Sequence, residues 1–235
     1  MSATLPVIET FVSLQGEGPS SGEPAFFLRL AHCNLSCSWC DTKHSWDWEQ
    51  FDRSQEVEDV PADILLHRLE AGIPPRVHLL VLTGGEPLLH QRPMAPLLSA
   101  LRISRPDVRV EVETNGTIPP DPKFAALVHL FVVSPKLANS GMPQKLRLKS
   151  RFLSALAALP SVVKFVVEAP IDVAEAVEVA RSNGYATSRV WVMPQTTSAS
   201  EVGPLIATLA PAAIAAGVRL SARLHILAWG DARGT

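Results

Sequence analysis

Short apolar runs alternate with amphipathic stretches along most of the chain. Ala25–Ala31, Val77–Thr83, Val108–Thr114, Leu127–Ser134, Ser161–Val167, Arg189–Met193 and Val218–Leu224 have the length and apolar character of buried strands. Between them, Pro61–Ala71, Met94–Arg102, Arg151–Leu159, Val173–Asn183 and Ser200–Ala216 read as helices. In the first helix Ile64, Leu65 and Leu69 fall on one side. Asp172, with Glu175 three residues later, resembles a capping box opening the fourth. Pro204 or Pro211 is expected to break or kink the fifth. Strands alternating with helices argue for a parallel sheet with right-handed crossovers. Six or seven strands are too few for a complete eight-stranded barrel. The expected fold is therefore α/β, a partial (β/α) barrel, or failing that an open doubly wound sheet. No repeat, linker or composition break divides the chain, which is expected to form one domain over residues 1–235.

Function in parallel α/β folds gathers at the C-terminal ends of the strands. After the first predicted strand come Cys33, Cys37 and Cys40, and after the second Thr83-Gly84-Gly85-Glu86-Pro87. Glu113-Thr114-Asn115-Gly116, Ser134-Pro135-Lys136, Met193-Pro194-Gln195-Thr196 and finally His225 end later strands. Polar, glycine-rich or titratable groups thus crown nearly every strand on one side, as a site in the mouth of a barrel requires.

Composition narrows the setting. A net charge of -2 leaves no electrostatic footprint for nucleic acid. The 47% hydrophobic content can fill a sizeable core, and 20 prolines point to short elements joined by stiff turns. Met1–Val12 lacks the basic and apolar regions of a signal peptide. Leu205–Val218, the longest apolar stretch, contains Pro211 and Gly217 and is too short to span a bilayer. The expected setting is the reducing cytoplasm, with no membrane or nucleic-acid partner.

All three cysteines fall within eight positions, in the spacing C-x3-C-x2-C, and there are no others. An odd count without an export signal argues against a disulfide framework. A Cys3His zinc site needs a fourth ligand, for which His44 and His32 are candidates, but structural zinc sites usually come as two separated pairs. A 4Fe–4S cluster normally takes one cysteine per iron. Three ligands leave one iron open, and this spacing resembles that of radical S-adenosylmethionine enzymes, whose open iron is chelated by the methionine moiety.

Neighbouring residues extend that reading. Gly84 and Gly85 let the backbone approach a ligand closely, or simply form a tight turn closed by Pro87. Trp39 suits stacking on an adenine or shielding a cluster. Asp41 and Thr42 are hard oxygen donors of the kind Mg²⁺ accepts, or local caps. Ser13–Gly18 reads as a loop, over a substrate or merely on the surface. Arg29 lies in an otherwise apolar strand, where a guanidinium needs an anion. A substrate carboxylate and an internal salt bridge are the two candidates. His225, on local grounds, is a satisfied core or capping histidine.

Across nearly its whole length the chain resembles the 7-carboxy-7-deazaguanine synthases of the radical S-adenosylmethionine superfamily. The resemblance runs through Leu14-Gln15-Gly16-Glu17-Gly18, Phe27-Leu28-Arg29-Leu30, the cysteine triplet, Trp39-Cys40-Asp41-Thr42, Thr83-Gly84-Gly85-Glu86-Pro87, Glu113-Thr114-Asn115-Gly116-Thr117, Ser134-Pro135-Lys136 and Arg223-Leu224-His225. It implies conversion of 6-carboxy-5,6,7,8-tetrahydropterin to 7-carboxy-7-deazaguanine with loss of ammonia. A 5′-deoxyadenosyl radical would start the reaction at C6 of the substrate. It further implies a 4Fe–4S cluster, S-adenosylmethionine and Mg²⁺ as cofactors, a flavodoxin or ferredoxin as electron donor, and a homodimer. By motif, Cys33, Cys37 and Cys40 would hold the cluster and Thr42 would touch Mg²⁺. Trp39, Gly85, Ser134, Pro135, Lys136, Met193, Pro194, Gln195 and Thr196 would contact S-adenosylmethionine. Leu14, Gln15, Gly16, Arg29, Thr83 and His225 would contact the substrate. A radical activase acting on a partner protein would share the cysteines and the Gly-Gly-Glu-Pro run, and a zinc-bound interaction domain is the non-enzymatic rival.

Overall fold

The computed structural model describes residues 3–235, in which nine strands join into one sheet. They are β1 (Thr4–Leu14), β2 (Pro24–Leu30), β3 (Glu58–Pro61), β4 (Leu79–Gly84), β5 (Arg109–Thr114), β6 (Leu130–Val133), β7 (Ser161–Val167), β8 (Val190–Pro194) and β9 (Arg219–Leu220). The order is β3-β1-β2-β4-β5-β6-β7-β8-β9. From β2 to β9 every neighbour is parallel, and β1 and β3 add an antiparallel edge. β3 and β9 end the sheet, so the barrel is partial and open. The six longer helices are α1 (Ala62–Gly72), α2 (Gln91–Ser104), α3 (Ser150–Ala157), α4 (Pro170–Ser182), α5 (Ala199–Ala216) and α6 (Leu224–Trp229).

Alternation along each strand divides the sheet into two faces. Leu28 and Leu30 of β2, Leu80 and Leu82 of β4, Val110 and Val112 of β5, Phe131 and Val133 of β6, and Val163 and Phe165 of β7 join the main core. Helical residues such as Leu65, Leu69, Leu98, Leu101, Leu153 and Ala176 pack into that same core. Ala25, Phe27, Leu79 and Val81 form a small second cluster on the opposite face, with Phe11 against it.

Several sequence expectations change here. β1 and β3 lie outside the predicted strands, and Ser13 and Leu14, expected in a loop, end β1. β1 escapes a period-2 pattern because its register shifts between Val7 and Glu9. Leu5 and Val7 therefore face the main core, whereas Phe11 faces the other cluster. Ile64 is 45% exposed, so only Leu65 and Leu69 of the predicted trio are buried. α4 starts at Pro170, and Asp172 caps it from inside the first turn by accepting from Glu168 N at 2.8 Å and Ala169 N at 3.1 Å. Glu175 instead accepts from Ala138 N and pairs with Arg147 at 3.0 Å. α5 runs unbroken for 18 residues through both prolines. By length and composition α5 could cross a membrane, but Val202, Leu209 and Ala213 are buried in the fold. Finally, the predicted strand Val218–Leu224 shrinks to Arg219–Leu220, and Leu224 opens α6, which carries His225.

Candidate functional site

A pocket opens where the parallel strands end. Arg29 from β2, Thr83 and Gly84 from β4 with Gly85 just beyond, and Glu113 and Thr114 from β5 with Asn115 just beyond line it. Ser134 and Lys136 follow β6, Lys164 and Val166 rise from β7, and Met193 and Gln195 end the wall at β8. Cys33, Cys37, Trp39, Cys40 and Thr42 come from the loop after β2, Leu14 from the end of β1, and Gln15 and Gly16 from the β1–β2 turn. His225 of α6 also lines it. The space between these walls, open mouth included, is about 1310 Å³. Of the residues expected here, Pro135, Pro194 and Thr196 do not line the pocket. The Thr196 hydroxyl is already spent on Glu201, at 2.6 Å.

The cysteine loop is braced from β5 and from the loop after β6. Asn34 donates to Thr117 Oγ1 at 2.7 Å, Asn115 donates to Asn34 Oδ1 at 2.9 Å, and Ser38 N donates to Ser140 O at 3.1 Å. All three thiols are free. Burial pushes the Cys33 thiol up to about 12 and raises Cys37 as well, so each holds its proton until a metal displaces it. Among the described residues no three His, Cys, Asp or Glu side chains converge on one ion. His44 is buried edge-on to Phe51. Thiols that share a pocket without converging suit a cluster, where each takes a different iron, better than a single zinc. The buried Trp39 Nε1–H has no partner among the described residues, and Lys136 Nζ lies 5.5 Å from the centre of the indole ring. An unpaired buried donor beside the thiols is consistent with a polar cofactor lying there.

The glycines of Thr-Gly-Gly-Glu-Pro serve first to bring two strands together. A Cβ on Gly84, which has φ 123°, would strike the Leu30 backbone, and one on Gly85 would strike the His32 carbonyl. The N–H groups of Gly85 and Glu86 are already bonded, to Leu30 O at 2.9 Å and His32 O at 2.7 Å. Close approach of β4 to the chain entering the cysteine loop is what requires glycine here. Glu86 is fully buried and accepts from Leu88 N, Thr114 Oγ1 and Asn115 N at 2.7–2.9 Å, tying β4 to β5. Burial raises its carboxyl despite those three donors.

A chain of opposite charges runs along the pocket wall. Arg223 pairs with Asp41 and, at 3.0 Å, with Glu17 Oε1. Lys164 Nζ lies 2.5 Å from Glu17 Oε2 and 3.2 Å from Glu113 Oε1. Thr83 donates to Glu113 Oε2 at 2.8 Å, and Gln15 to its Oε1 at 3.4 Å. Burial alone would raise the Glu17 carboxyl, but Lys164, Arg223 and His225 hold it well below the usual range. Asp41, about a third exposed, is likewise lowered, with Arg223 overcoming desolvation. Burial would lower Lys164 and Arg223, and their carboxylate partners raise both instead. His225 Nε2 lies 3.8 Å from Glu17 Oε1, and burial lowers its pKa against the pull of that carboxylate. The His225 ring packs so closely on Gly16 that any Cβ there would collide with it.

Arg29 forms the internal salt bridge. Its Nε donates to Glu9 Oε1 at 2.7 Å, across the β1–β2 pair. Its other two nitrogens have no partner among the described residues and remain available on the pocket wall. Phe11 lies beneath the guanidinium at 5.7 Å and stacks on Phe27 at 4.9 Å, giving a flat aromatic surface beside a cation. Asp41 is taken by Arg223, which leaves the Thr42 hydroxyl, hydrogen-bonded to Cys40 Sγ at 3.6 Å, as the oxygen donor next to the thiols.

Sequence reading gave Glu17, Glu113 and Arg223 no individual role in the site and missed Lys164 altogether. Lys164 carries the signal that singled out Arg29, one cation in an apolar strand. Arg223 carries no local signal, since Asp41 lies 182 residues away.

Comparisons with known proteins agree with this geometry. Residues 29–201 match the Radical SAM superfamily. The chain is 41% identical to the 7-carboxy-7-deazaguanine synthase of Pyrobaculum aerophilum over the full length of both. It is 34% identical to that of Hyperthermus butylicus, covering 97% of this chain and 94% of the relative. The crystal structure of QueE from Escherichia coli aligns with a TM-score of 0.69 at 25% identity, covering 93% of each chain.

Proposed function

The chain belongs to the 7-carboxy-7-deazaguanine synthases of the radical S-adenosylmethionine superfamily, and we propose that it converts 6-carboxy-5,6,7,8-tetrahydropterin to 7-carboxy-7-deazaguanine with loss of ammonia, a step toward queuosine and related 7-deazapurines. One observation carries this reading. Three free thiols and a cation flanked by an aromatic face line one pocket together with Gln15, Thr83 and Glu113.

In this reading Cys33, Cys37 and Cys40 hold a 4Fe–4S cluster on which S-adenosylmethionine is bound. That group would supply radical chemistry able to remove a hydrogen from C6 of the substrate. Trp39, Gly85, Ser134, Lys136, Met193 and Gln195 border the cofactor. Arg29 offers its free nitrogens to the substrate carboxylate, Phe11 and Phe27 lie along the pterin plane, and Leu14, Gln15, Gly16, Thr83 and His225 surround its rings. Gln15 and Thr83 also steady Glu113, whose carboxylate accepts from ring N–H groups. Thr42 would supply an oxygen to Mg²⁺. The chain acts as one domain in the cytoplasm, as a homodimer served by a flavodoxin or ferredoxin.

The test is turnover by anaerobically reconstituted protein with dithionite, S-adenosylmethionine, Mg²⁺ and the tetrahydropterin, read by mass spectrometry. Formation of 7-carboxy-7-deazaguanine is the expected result. An intact cluster that releases 5′-deoxyadenosine but leaves the pterin unchanged would overturn the substrate assignment and favour an activase.

A further inference from the structure

Lys164 sits in the middle of Ser161-Val162-Val163-Lys164-Phe165-Val166-Val167, with its side chain 5% exposed. A lysine so placed must be paired. Its ammonium bridges two carboxylates from different parts of the chain, Glu17 of the β1–β2 turn and Glu113 of β5, and all three residues line the pocket. The Lys164 stem crosses the inner face of β6 to get there, passing Gly18 and Val132, where a Cβ on Gly18 would touch both side chains.

Stability does not explain the arrangement well. A buried group of charges often does no more for folding than apolar residues of the same volume, because desolvation offsets the attraction. Geometry on the pocket side is more telling. Glu113 is held by Lys164, Thr83 and Gln15, and Glu17 by Lys164 and Arg223. Two carboxylates drawn to one ammonium are kept at a set separation and orientation. Ionised carboxylates are acceptors only, so together they complement a flat ligand edge rich in N–H donors. The amino-pyrimidinone edge of a pterin has that character.

We propose that Lys164 is a positioning residue for substrate recognition, holding Glu17 and Glu113 as two fixed acceptors for the amino-pyrimidinone edge of the substrate. This inference rests on the pterin reading above. Charged and titratable groups facing the pair are Arg223 and His225 beside Glu17, Asp41 on the far side of Arg223, and Glu111, which precedes Glu113 by one turn of the strand repeat on the same face of β5. Removing Lys164 takes one of the two close cations from Glu17, so its carboxyl protonates at higher pH.

The experiment compares wild type, Lys164→Met and Lys164→Arg as reconstituted holoenzymes. Turnover is followed near neutral pH, and 6-carboxypterin binding is followed from pH 4 to 9 by the ligand's own fluorescence. Lys164→Met should raise KM and weaken pterin binding by about 10–100-fold near neutral pH. An acid limb in pterin binding, absent from wild type over this range because Glu17 is held well below the usual carboxylate values, should appear in Lys164→Met, while iron content and S-adenosylmethionine binding stay at wild-type levels. Lys164→Arg, which keeps the charge, should bind like wild type and show no such limb. A loss of equal size at every pH, or Met and Arg variants that behave alike, would overturn the proposal.

Should Lys164→Met fail to fold, Glu113→Gln/Lys164→Met removes one charge of each sign. Against Glu113→Gln alone, its acid limb must still lie higher, because Glu17 has lost the same ammonium; coincident limbs overturn the proposal. A wild type that binds 6-carboxypterin without converting the tetrahydropterin refutes the proposed reaction and leaves Lys164 to be judged on binding. A wild type that does neither refutes both.

Discussion

On β5, Val110 and Val112 turn toward the helices, while Glu111 and Glu113 turn the other way. The same division repeats on β7, where Val163 and Phe165 enter the main core and Lys164 faces the pocket. One sheet thus carries two different chemistries. Its helix face is held by apolar burial, which is non-directional and tolerates neighbours of similar volume. Its pocket face is held by paired charges and hydrogen bonds whose partners are individually specified. Damage to the first should appear as lost stability, and damage to the second as lost chemistry.

The sharpest test of that division is Cys37→Ala, on the pocket side. Cys37 is 6% exposed and lines the pocket with the other two thiols. Its loss should abolish cluster binding and turnover, seen as loss of brown colour and of product. The metal-free variant should melt within a few degrees of metal-free wild type. Full turnover would refute the cluster assignment, and a collapsed apo fold would show that the two faces are not separable. On the opposite face, Phe131→Ala empties a fully buried ring from the main core. It should cost about 3–5 kcal/mol in denaturant unfolding. The kcat/KM of the folded fraction should stay within about twofold at low temperature. A variant with intact stability and crippled turnover would reverse the comparison.

The two faces also differed in how readily the sequence disclosed them. The apolar runs located β2 and β4–β8, and strand-helix alternation predicted parallel crossovers, because burial leaves a local signature. The cysteine spacing announced the cluster loop for the same reason: its three residues are neighbours in sequence. β1 hid because a register shift between Val7 and Glu9 switches which face its odd-numbered residues take. Without β1 the partner of Arg29 was invisible, since Glu9 is defined only by strand pairing. His225 was expected just past a strand ending at Leu224, but the chain turns into a six-residue helix soon after the two residues of β9, and His225 lies in that helix. The network of Asp41, Arg223, Glu17, Lys164 and Glu113 joins residues up to 206 positions apart, as in Arg223 to Glu17. Charge pairs of that kind exist only in the assembled fold.

Arg29 sharpens the comparison on the pocket face itself, since it belongs both to a structural pair and to the proposed substrate site. Arg29→Ala should raise the KM for the pterin by about 10–100-fold with little change in iron content or S-adenosylmethionine binding. Glu9→Gln removes the charge opposite Arg29 but leaves the guanidinium in the pocket, so its effect on KM should be several-fold smaller. Equal effects from the two substitutions would mean that Arg29 only braces β1 against β2.

The smallest expected effect concerns acid stability and reads the charge compensation directly. Burial would raise the Glu17 carboxyl above its ordinary value of 4.5, yet Lys164, Arg223 and His225 hold it below that value. A carboxyl depressed in the fold adds stability that is fully present above its unfolded pKa and is lost as pH falls through the folded value. Denaturant unfolding of metal-free wild type and Glu17→Gln should therefore differ by a constant amount above about pH 5.5. Below about pH 4.5 the wild-type advantage should shrink steadily, because glutamine has no proton to gain while the wild-type carboxyl loses its attraction to Lys164 and Arg223. An advantage that grew on acidification would mean that desolvation outweighs the cations. The pocket face would then be an uncompensated charge buried at the cost of folding, and its likeness to a preorganised binding surface would fail.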